Sequence, residues 1–100
     1  MCGLAGVLGI GSCDESTLKK MISTLHHRGP DDKGLWCDEN VGIGLAFARL
    51  SILDLSPAGH QPMISDGGKF VIVFNGEIYN HLTIRKELEE RMINYNLLNN

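Results

Sequence analysis

The chain has 100 residues, 43% of them hydrophobic and 21% charged, so it has room for at most one domain of ordinary globular composition. Its 9 basic residues are scattered among 12 acidic ones, and the formal charge of -3 provides no basic patch for nucleic acid. No apolar run approaches the roughly 18 residues of a membrane span, and the N-terminus lacks the features of a signal peptide. We therefore expect a cytoplasmic protein that binds neither nucleic acid nor membrane.

The three cysteines, Cys2, Cys13 and Cys37, form an odd count with no C-x-x-C spacing. This pattern suggests neither a disulfide framework nor a zinc site, and it favours a reducing compartment. The pair His26-His27 is not completed by a spaced His or Cys cluster. We therefore predict no metal ligands and assign His27 a structural role in a shaped loop.

The first elements predicted in chain order are a strand and a helix. Residues 3–10 alternate small and branched apolar side chains before Gly11, which favours a short buried strand. Ser12 and Glu15 match a capping box, which predicts a helix over 13–26. Its apolar face, at helical spacing, consists of Leu18, Met21, Ile22 and Leu25.

Strands dominate the middle of the chain. Residues 34–37 and 41–48 predict two strands joined by a turn at 38–40, and 49–54 continues in extended form. Two prolines and three glycines mark 55–69 as a long irregular connection, and loops of that length are usually functional or mobile.

The last predicted elements are a buried strand and a second helix. The continuous apolar run over 70–74 predicts a strand covered on both faces, which ends in the turn signal Asn75-Gly76. A helix follows over 80–92, with Asn80 as its N-cap and a charged, solvated outer face. The order of the elements indicates an α+β fold with mostly antiparallel sheet.

Cys2 stands directly after the initiator Met and becomes the N-terminal residue once Met1 is removed. A free α-amino group titrates near neutral pH, so one residue can then supply both the nucleophile and its base. Taken alone, a buried and inert cysteine is the more ordinary interpretation.

Two further positions carry groups that suit acyl transfer. Asn75-Gly76-Glu77 follows the predicted buried strand, where an Asn amide and a Gly N–H can both point at one oxyanion. A plain Asn-Gly hairpin turn is the alternative. Arg49 follows the predicted strand over 41–48, and its guanidinium can hold a carboxylate through two parallel hydrogen bonds, although a surface Arg explains it equally well.

Five motifs occur in order along the chain: M-C-G at 1–3, H-R-G-P-D at 27–31, A-R-L-S-I-L-D at 48–54, G-H-Q-P at 59–62 and N-G-E-I-Y-N at 75–80. Together they resemble the glutaminase domain of class II, N-terminal-cysteine amidotransferases, most closely that of glutamine-dependent asparagine synthetases. The resemblance implies an N-terminal nucleophile hydrolase fold, in which stacked antiparallel sheets lie between helix layers. It makes residues 1–100 the N-terminal part of a glutamine amidotransferase domain.

The resemblance also implies a reaction and a set of site residues. The Cys2 thiolate attacks the side-chain amide of glutamine, ammonia leaves, and water resolves the glutamyl thioester. Asn75 and Gly76 match the oxyanion hole, Arg49 matches the residue that holds the glutamine carboxylate, and Glu77 matches a residue near the glutamine amino group. The pocket is lined by the stretch that comprises Leu50, Ser51, Ile52 and Leu53.

Two segments of the family do not occur in these 100 residues. One is the S-D-T-E segment, whose Asp helps to bind the substrate amine, and the other is the S-G-G-x-D-S loop of the ATP-using synthetase domain. We therefore expect no cofactor in this segment, with ATP and Mg²⁺ used by a synthetase domain in cis. Uncovered sheet edges and apolar faces favour self-association, for example as a homodimer.

Two functions follow from these residues. The first is hydrolysis of glutamine to supply ammonia for ATP-dependent asparagine synthesis from aspartate, or for another acceptor such as a sugar. The second, motivated by the absent Asp, is a truncated glutamine-binding or regulatory module without catalysis. A structural α+β domain with an incidental Cys2 would require all five motifs to be coincidence.

Overall fold

The computed structural model describes residues 2–9, 11, 13–51 and 56–91. Their helices and antiparallel strands confirm the predicted α+β class. None of the helices in these ranges is long and apolar enough to cross a membrane. The elements are β1 (Gly3–Leu8), α1 (Glu15–Ser23), β2 (Asp32–Asp38), β3 (Ile43–Arg49), β4 (Met63–Ile64), β5 (Val71–Ile72) and α2 (His81–Glu90), with short 3-10 turns at Pro57–Gly59 and Asp66–Gly68.

The main sheet has three antiparallel strands in the order β1-β3-β2, so β3 lies in the middle. Gly3 at the start of β1 pairs with Ala48, near the end of β3. Asp32 at the start of β2 pairs with Arg49, the last residue of β3. The register therefore places the beginning of the chain, the start of β2 and the end of β3 at the same end of the three strands.

The hydrophobic core lies between α1 and the centre of this sheet. Leu18 and Ile22 of α1 pack against Ala46 and Ala48 of β3, and all four side chains are buried. The two alanines are small, which lets the helix lie close to the strand, and burial of the two large aliphatic side chains contributes about 1.5–3 kcal/mol each. Leu18 is fully buried and is the residue on which this packing depends most.

The first helix differs from the prediction at both ends. Its N-cap is Asp14, whose carboxylate accepts a hydrogen bond from the Ser16 N–H at 3.0 Å, so the predicted capping box is wrong. Ser12 itself lies outside the described residues. The helix ends at Ser23 rather than at 26, because the hydroxyls of Ser23 and Thr24 bond to carbonyls one turn earlier and compete with the helical pattern.

The strand predicted over 70–74 is much shorter in the structure. Only Val71–Ile72 is strand, it pairs with Met63–Ile64, and Ile72 is 53% exposed rather than buried on both faces. An apolar run signals a tendency to be buried but does not supply the neighbours that bury it, and among the described residues only β4 lies beside this strand.

The second helix begins where it was predicted to begin, with Asn80 at the N-cap position, although the Asn80 side chain makes no capping hydrogen bond. It ends at Glu90, and the predicted end at 92 lies outside the described residues. The helix has no buried residue, and Leu82 on its apolar face is 67% exposed.

The expectation that the cysteines form no disulfide is wrong for one pair. Cys13 and Cys37 form a disulfide, with their Cα atoms 6.2 Å apart and a separation of 24 positions in the sequence. Packing of α1 across the sheet brings Cys13, just before the helix, onto β2, and such proximity cannot be read from the spacing of cysteines. Cys2 is a free thiol.

We predict that Leu18→Ala lowers the free energy of unfolding by about 2–5 kcal/mol, because it opens a cavity between α1 and β3. Urea unfolding of the full-length protein, followed by far-UV circular dichroism, measures this change. The matched control is Lys19→Ala, an exposed position of the same helix, where we expect a change within about 0.5 kcal/mol. Equal effects of the two substitutions would contradict the assigned core.

Candidate active site

Cys2 lies immediately before β1 and beside the residue that follows β3. The pairing of Gly3 with Ala48 brings the chain start to this position. The Cys2 Sγ accepts a hydrogen bond from the Leu50 N–H at 3.3 Å, and the thiol is free and partly exposed. Because the thiol is partly exposed and not part of a disulfide, the interpretation of Cys2 as a buried residue does not fit.

Two side chains hold the backbone of Cys2. The Asn75 Nδ2 donates to the Cys2 carbonyl at 3.1 Å, and the Arg28 Nε donates to the same oxygen at 3.0 Å. These three residues share a cavity of about 280 Å³ with neighbouring apolar residues of β1 and the turn after α1. The structure therefore brings the predicted nucleophile and the predicted oxyanion donor Asn75 together, although they lie 73 positions apart.

Gln61 fixes the segment that carries Asn75. Its Oε1 accepts a hydrogen bond from the Phe74 N–H at 2.6 Å, and its Nε2 donates to the Phe74 carbonyl at 3.1 Å. The side-chain amide thus bonds to Phe74 as a neighbouring strand would. Gly76 follows in close contact with the Phe74 ring, which lies 3.0 Å from the position of an added Cβ. Asn75-Gly76 is therefore not the plain hairpin turn that its sequence also suggested.

Arg49 is 8% exposed, which excludes the interpretation as a surface Arg. Its Nη1 donates to the Ser56 carbonyl at 2.6 Å. It lines a cavity of about 290 Å³ together with Asp31, Asp32, Ser51, Pro57 and His60. This carboxylate-binding candidate and Cys2 therefore line separate cavities, and Leu50, which bonds to the thiol and follows Arg49, connects the two.

Other predicted site residues lie outside these two cavities or outside the described ranges. Glu77 is exposed and lines a third cavity of about 510 Å³ with Phe74, Ile78, Tyr79 and His81. The structure does not bring Glu77 together with Cys2 or Arg49. The prediction for Ile52 and Leu53 falls on residues outside the described ranges.

The H-R-G-P-D loop joins the two cavities. Arg28 reaches Cys2, while the Asp31 carboxylate accepts a hydrogen bond from the Ser51 N–H at 2.8 Å. Gly29 lies so close to the backbone of Ala48 and Arg49 that an added Cβ would clash. His26 and His27 are exposed. Within the described parts of the chain no group of three or more His, Cys, Asp or Glu side chains is arranged to hold a metal ion.

Sequence reasoning did not assign individual roles to Arg28, Gln61, Asp32 and His60. Three of them lie inside recognised motifs: Arg28 in H-R-G-P-D, and His60 and Gln61 in G-H-Q-P. Polar residues in motifs that fall on loops were the available signal, because function concentrates on loops held by a rigid scaffold. Their partners are up to 28 positions away, which no local pattern reveals.

The arrangement around Cys2 brings together groups that acyl transfer can use. A thiol that receives an N–H hydrogen bond lies beside an amide donor in one cavity. A neighbouring cavity contains a buried guanidinium that suits a carboxylate.

Comparisons with known proteins find a family and several relatives that are similar to this chain. Residues 1–97 match the family described as glutamine amidotransferase domain. Asparagine synthetase [glutamine-hydrolyzing] 1 of Bacillus subtilis (strain 168) is 42% identical over 101 residues, which cover 96% of this chain and 16% of that protein. Putative asparagine synthetase [glutamine-hydrolyzing] 2 of Methanocaldococcus jannaschii is 38% identical over 104 residues, covering 87% of this chain and 20% of that protein.

A relative with a different name is amidase chry2 of Gibberella zeae, 40% identical over 73 residues that cover 73% of this chain and 11% of that protein. The chain thus spans a fifth or less of the length of these relatives. No solved structure matches it. Because the family match covers nearly the whole sequence, the chain belongs to the glutamine amidotransferase family.

Proposed function

We propose that this protein hydrolyses the side-chain amide of glutamine, with Cys2 as the nucleophile, and delivers the ammonia to an acceptor bound elsewhere in the same polypeptide. The observation that carries the proposal is the position of the Cys2 thiol, which accepts the Leu50 N–H in the cavity that Asn75 also lines. Membership of the glutamine amidotransferase family supports the choice of substrate.

The proposed chemistry uses two groups of Cys2, the side-chain thiol and the α-amino group. After removal of Met1, the α-amino group of Cys2 takes the thiol proton, and the thiolate attacks the amide carbon of glutamine. The same amino group then gives the proton to the departing ammonia as the carbon–nitrogen bond breaks. Water attacks the resulting thioester, which releases glutamate and returns the thiol to its starting state.

The proposed oxyanion hole consists of the Asn75 amide and the Gly76 N–H. Donors that are fixed in place before the reaction stabilise the developing charge most effectively, and loss of one donor typically lowers the rate by about two to three powers of ten. The hydrogen bonds from Gln61 to Phe74 supply such fixing, because Phe74 directly precedes Asn75.

At the other end of the substrate, we assign the carboxylate of glutamine to Arg49. The guanidinium is buried at the end of β3, and it lies one residue before Leu50, whose N–H contacts the thiol. Leu50 lies between Arg49 and the Cys2 thiol, and Ser51 lines the Arg49 cavity. The assignment of Ile52 and Leu53 to the pocket stays a prediction. Glu77 is assigned to the amino group of glutamine, which requires it to move from the separate cavity that it lines here.

For the whole protein we propose an N-terminal nucleophile hydrolase domain joined in cis to a synthetase domain that uses ATP and Mg²⁺ to make asparagine from aspartate. The names of the bacterial and archaeal relatives, both glutamine-hydrolysing asparagine synthetases, support this acceptor. Delivery of the ammonia to another acceptor, such as a sugar, is the second candidate, since similar chains are not all named asparagine synthetases. A glutamine-binding module without catalysis is the remaining alternative.

We predict that Cys2→Ala in the full-length protein lowers glutamine-dependent turnover by roughly three powers of ten or more, because no other group in the cavity replaces the nucleophile. Turnover with added ammonia should remain, since that reaction bypasses the thioester. Assays of glutamate release and of product formation with each nitrogen source measure the two effects. Glutamine-dependent turnover that survives in this variant would exclude the proposed role of Cys2.

We predict that Gln61→Ala lowers kcat for glutamine hydrolysis by about 10- to 100-fold, because it frees Phe74 and lets Asn75 move from its position. Gln61→Glu is the matched variant, since its carboxylate can still accept from the Phe74 N–H but cannot donate to the Phe74 carbonyl. We expect an intermediate kcat for it. Steady-state glutaminase assays rank the three proteins, and an unchanged kcat in Gln61→Ala would show that Asn75 is held by other contacts.

A further inference from the structure

The Arg49 cavity contains an acid–imidazole pair that the proposed reaction does not use. The Nδ1 of His60 lies 2.6 Å from the Oδ2 of Asp32, and the two side chains are 45% and 33% exposed. The contact joins the start of β2 to the segment that follows the 3-10 turn at Pro57–Gly59.

Both oxygens of the Asp32 carboxylate are engaged. Oδ2 contacts His60, and Oδ1 accepts a hydrogen bond from the Lys33 N–H at 2.8 Å. The direction in which this carboxylate points is therefore set by His60 on one side and by the backbone on the other.

Asp32 is the cross-strand partner of Arg49 in the register of β2 and β3. Side chains directly opposite each other in an antiparallel pair share one face of the sheet, with Cβ atoms about 4.5–5.5 Å apart. The carboxylate and the guanidinium form strong charge-assisted hydrogen bonds wherever they can meet. Without His60, Asp32 would compete with an incoming carboxylate for Arg49.

The backbone around His60 is shaped to keep the ring in place. The His60 N–H donates to the Pro57 carbonyl at 3.0 Å. Gly34 of β2 has no side chain, and an added Cβ would clash with the Gln61 carbonyl and lie 2.9 Å from the His60 Nε2. Gly59 lies against the Arg49 guanidinium in the same way. The segment therefore contacts both members of the Asp32–Arg49 pair.

The charged side chains that line the Arg49 cavity affect how an anionic ligand binds there. Asp31 and Asp32 are both acidic, Arg49 is the cation, and His60 is the remaining titratable side chain. The Asp31 carboxylate is held by the Ser51 N–H. A carboxylate bound at Arg49 would therefore lie beside two acidic side chains, one of which is in contact with His60.

We propose that His60 is a positioning residue, which holds the Asp32 carboxylate away from Arg49 and thereby sets the affinity of the site for the α-carboxylate of glutamine. This inference rests on the proposed function, in which Arg49 binds that carboxylate.

The test uses the full-length protein with His60→Ala, Asp32→Asn and the double variant. His60→Ala should raise KM for glutamine about tenfold, the order expected for loss of one charge-assisted interaction, with kcat within about twofold. Asp32→Asn removes the competing charge, so its KM should equal or fall below that of the wild type. The double variant should return to within about threefold of the wild type.

Two further proteins control for damage to the fold. His60→Asn places an amide donor where the His60 Nδ1 lies and should keep most of the affinity. His26→Ala removes an exposed histidine outside the three cavities and should leave KM unchanged. Calorimetric titration with glutamine in the Cys2→Ala background measures the same affinities without turnover.

The outcomes separate the inference from the function on which it rests. If Asp32→Asn raises KM as much as His60→Ala and the double variant does not recover, the pair only holds the loop and the inference is overturned. An unchanged KM in His60→Ala overturns it as well, while glutamine hydrolysis that depends on Cys2 leaves the proposed function standing. A wild-type protein that neither binds nor hydrolyses glutamine overturns both.

Discussion

The antiparallel pairing of β1 with β3 is the contact on which the rest of the site depends. Because Gly3 lies opposite Ala48, the residue before β1 and the residue after β3 meet at the same end of the strands. The residue before β1 is Cys2, and the residue after β3 is Leu50, whose N–H donates to the thiol sulfur. A shift of one residue in this register would turn the side chains of β1 to the opposite face and remove the thiol from its donor.

Packing of α1 stabilises the register of β1 and β3. Leu18 and Ile22 press on Ala46 and Ala48, and these alanines belong to the same stretch of β3 that pairs with β1. The core thus stabilises the central strand β3, whereas the Cys2 and Arg49 cavities lie at the end of this strand. The site lies where the strands end, and the Cys2 carbonyl accepts hydrogen bonds there from both Arg28 and Asn75.

Periodicity predicted that several elements are present, although β1 is less buried than expected, and motifs indicated candidate site residues whose roles stay predictions. The strand at 3–10, the first helix and the two strands around 34–48 all occur, with ends displaced by a few residues. The length and the burial of the strand predicted over 70–74 were overestimated, because the apolar character of a segment does not determine which other segments cover it. The link from Cys2 to Asn75 followed from the family resemblance alone, while the contacts of Gln61 and His60 depend on tertiary geometry that no spacing shows.

Two glycines lie against Arg49, and a third, on the neighbouring strand, lies against the segment that carries His60. Gly29 lies on the backbone of Ala48 and Arg49, Gly34 on the Gln61 carbonyl, and Gly59 on the Arg49 side chain itself. A methyl group at any of these three positions would therefore displace main chain or the guanidinium. Asp32 and His60, by contrast, are partly exposed side chains on the lining of the Arg49 cavity. The chemistry of this cavity can therefore change at Asp32 and His60 without displacing the main chain, whereas its surroundings cannot change at the glycines.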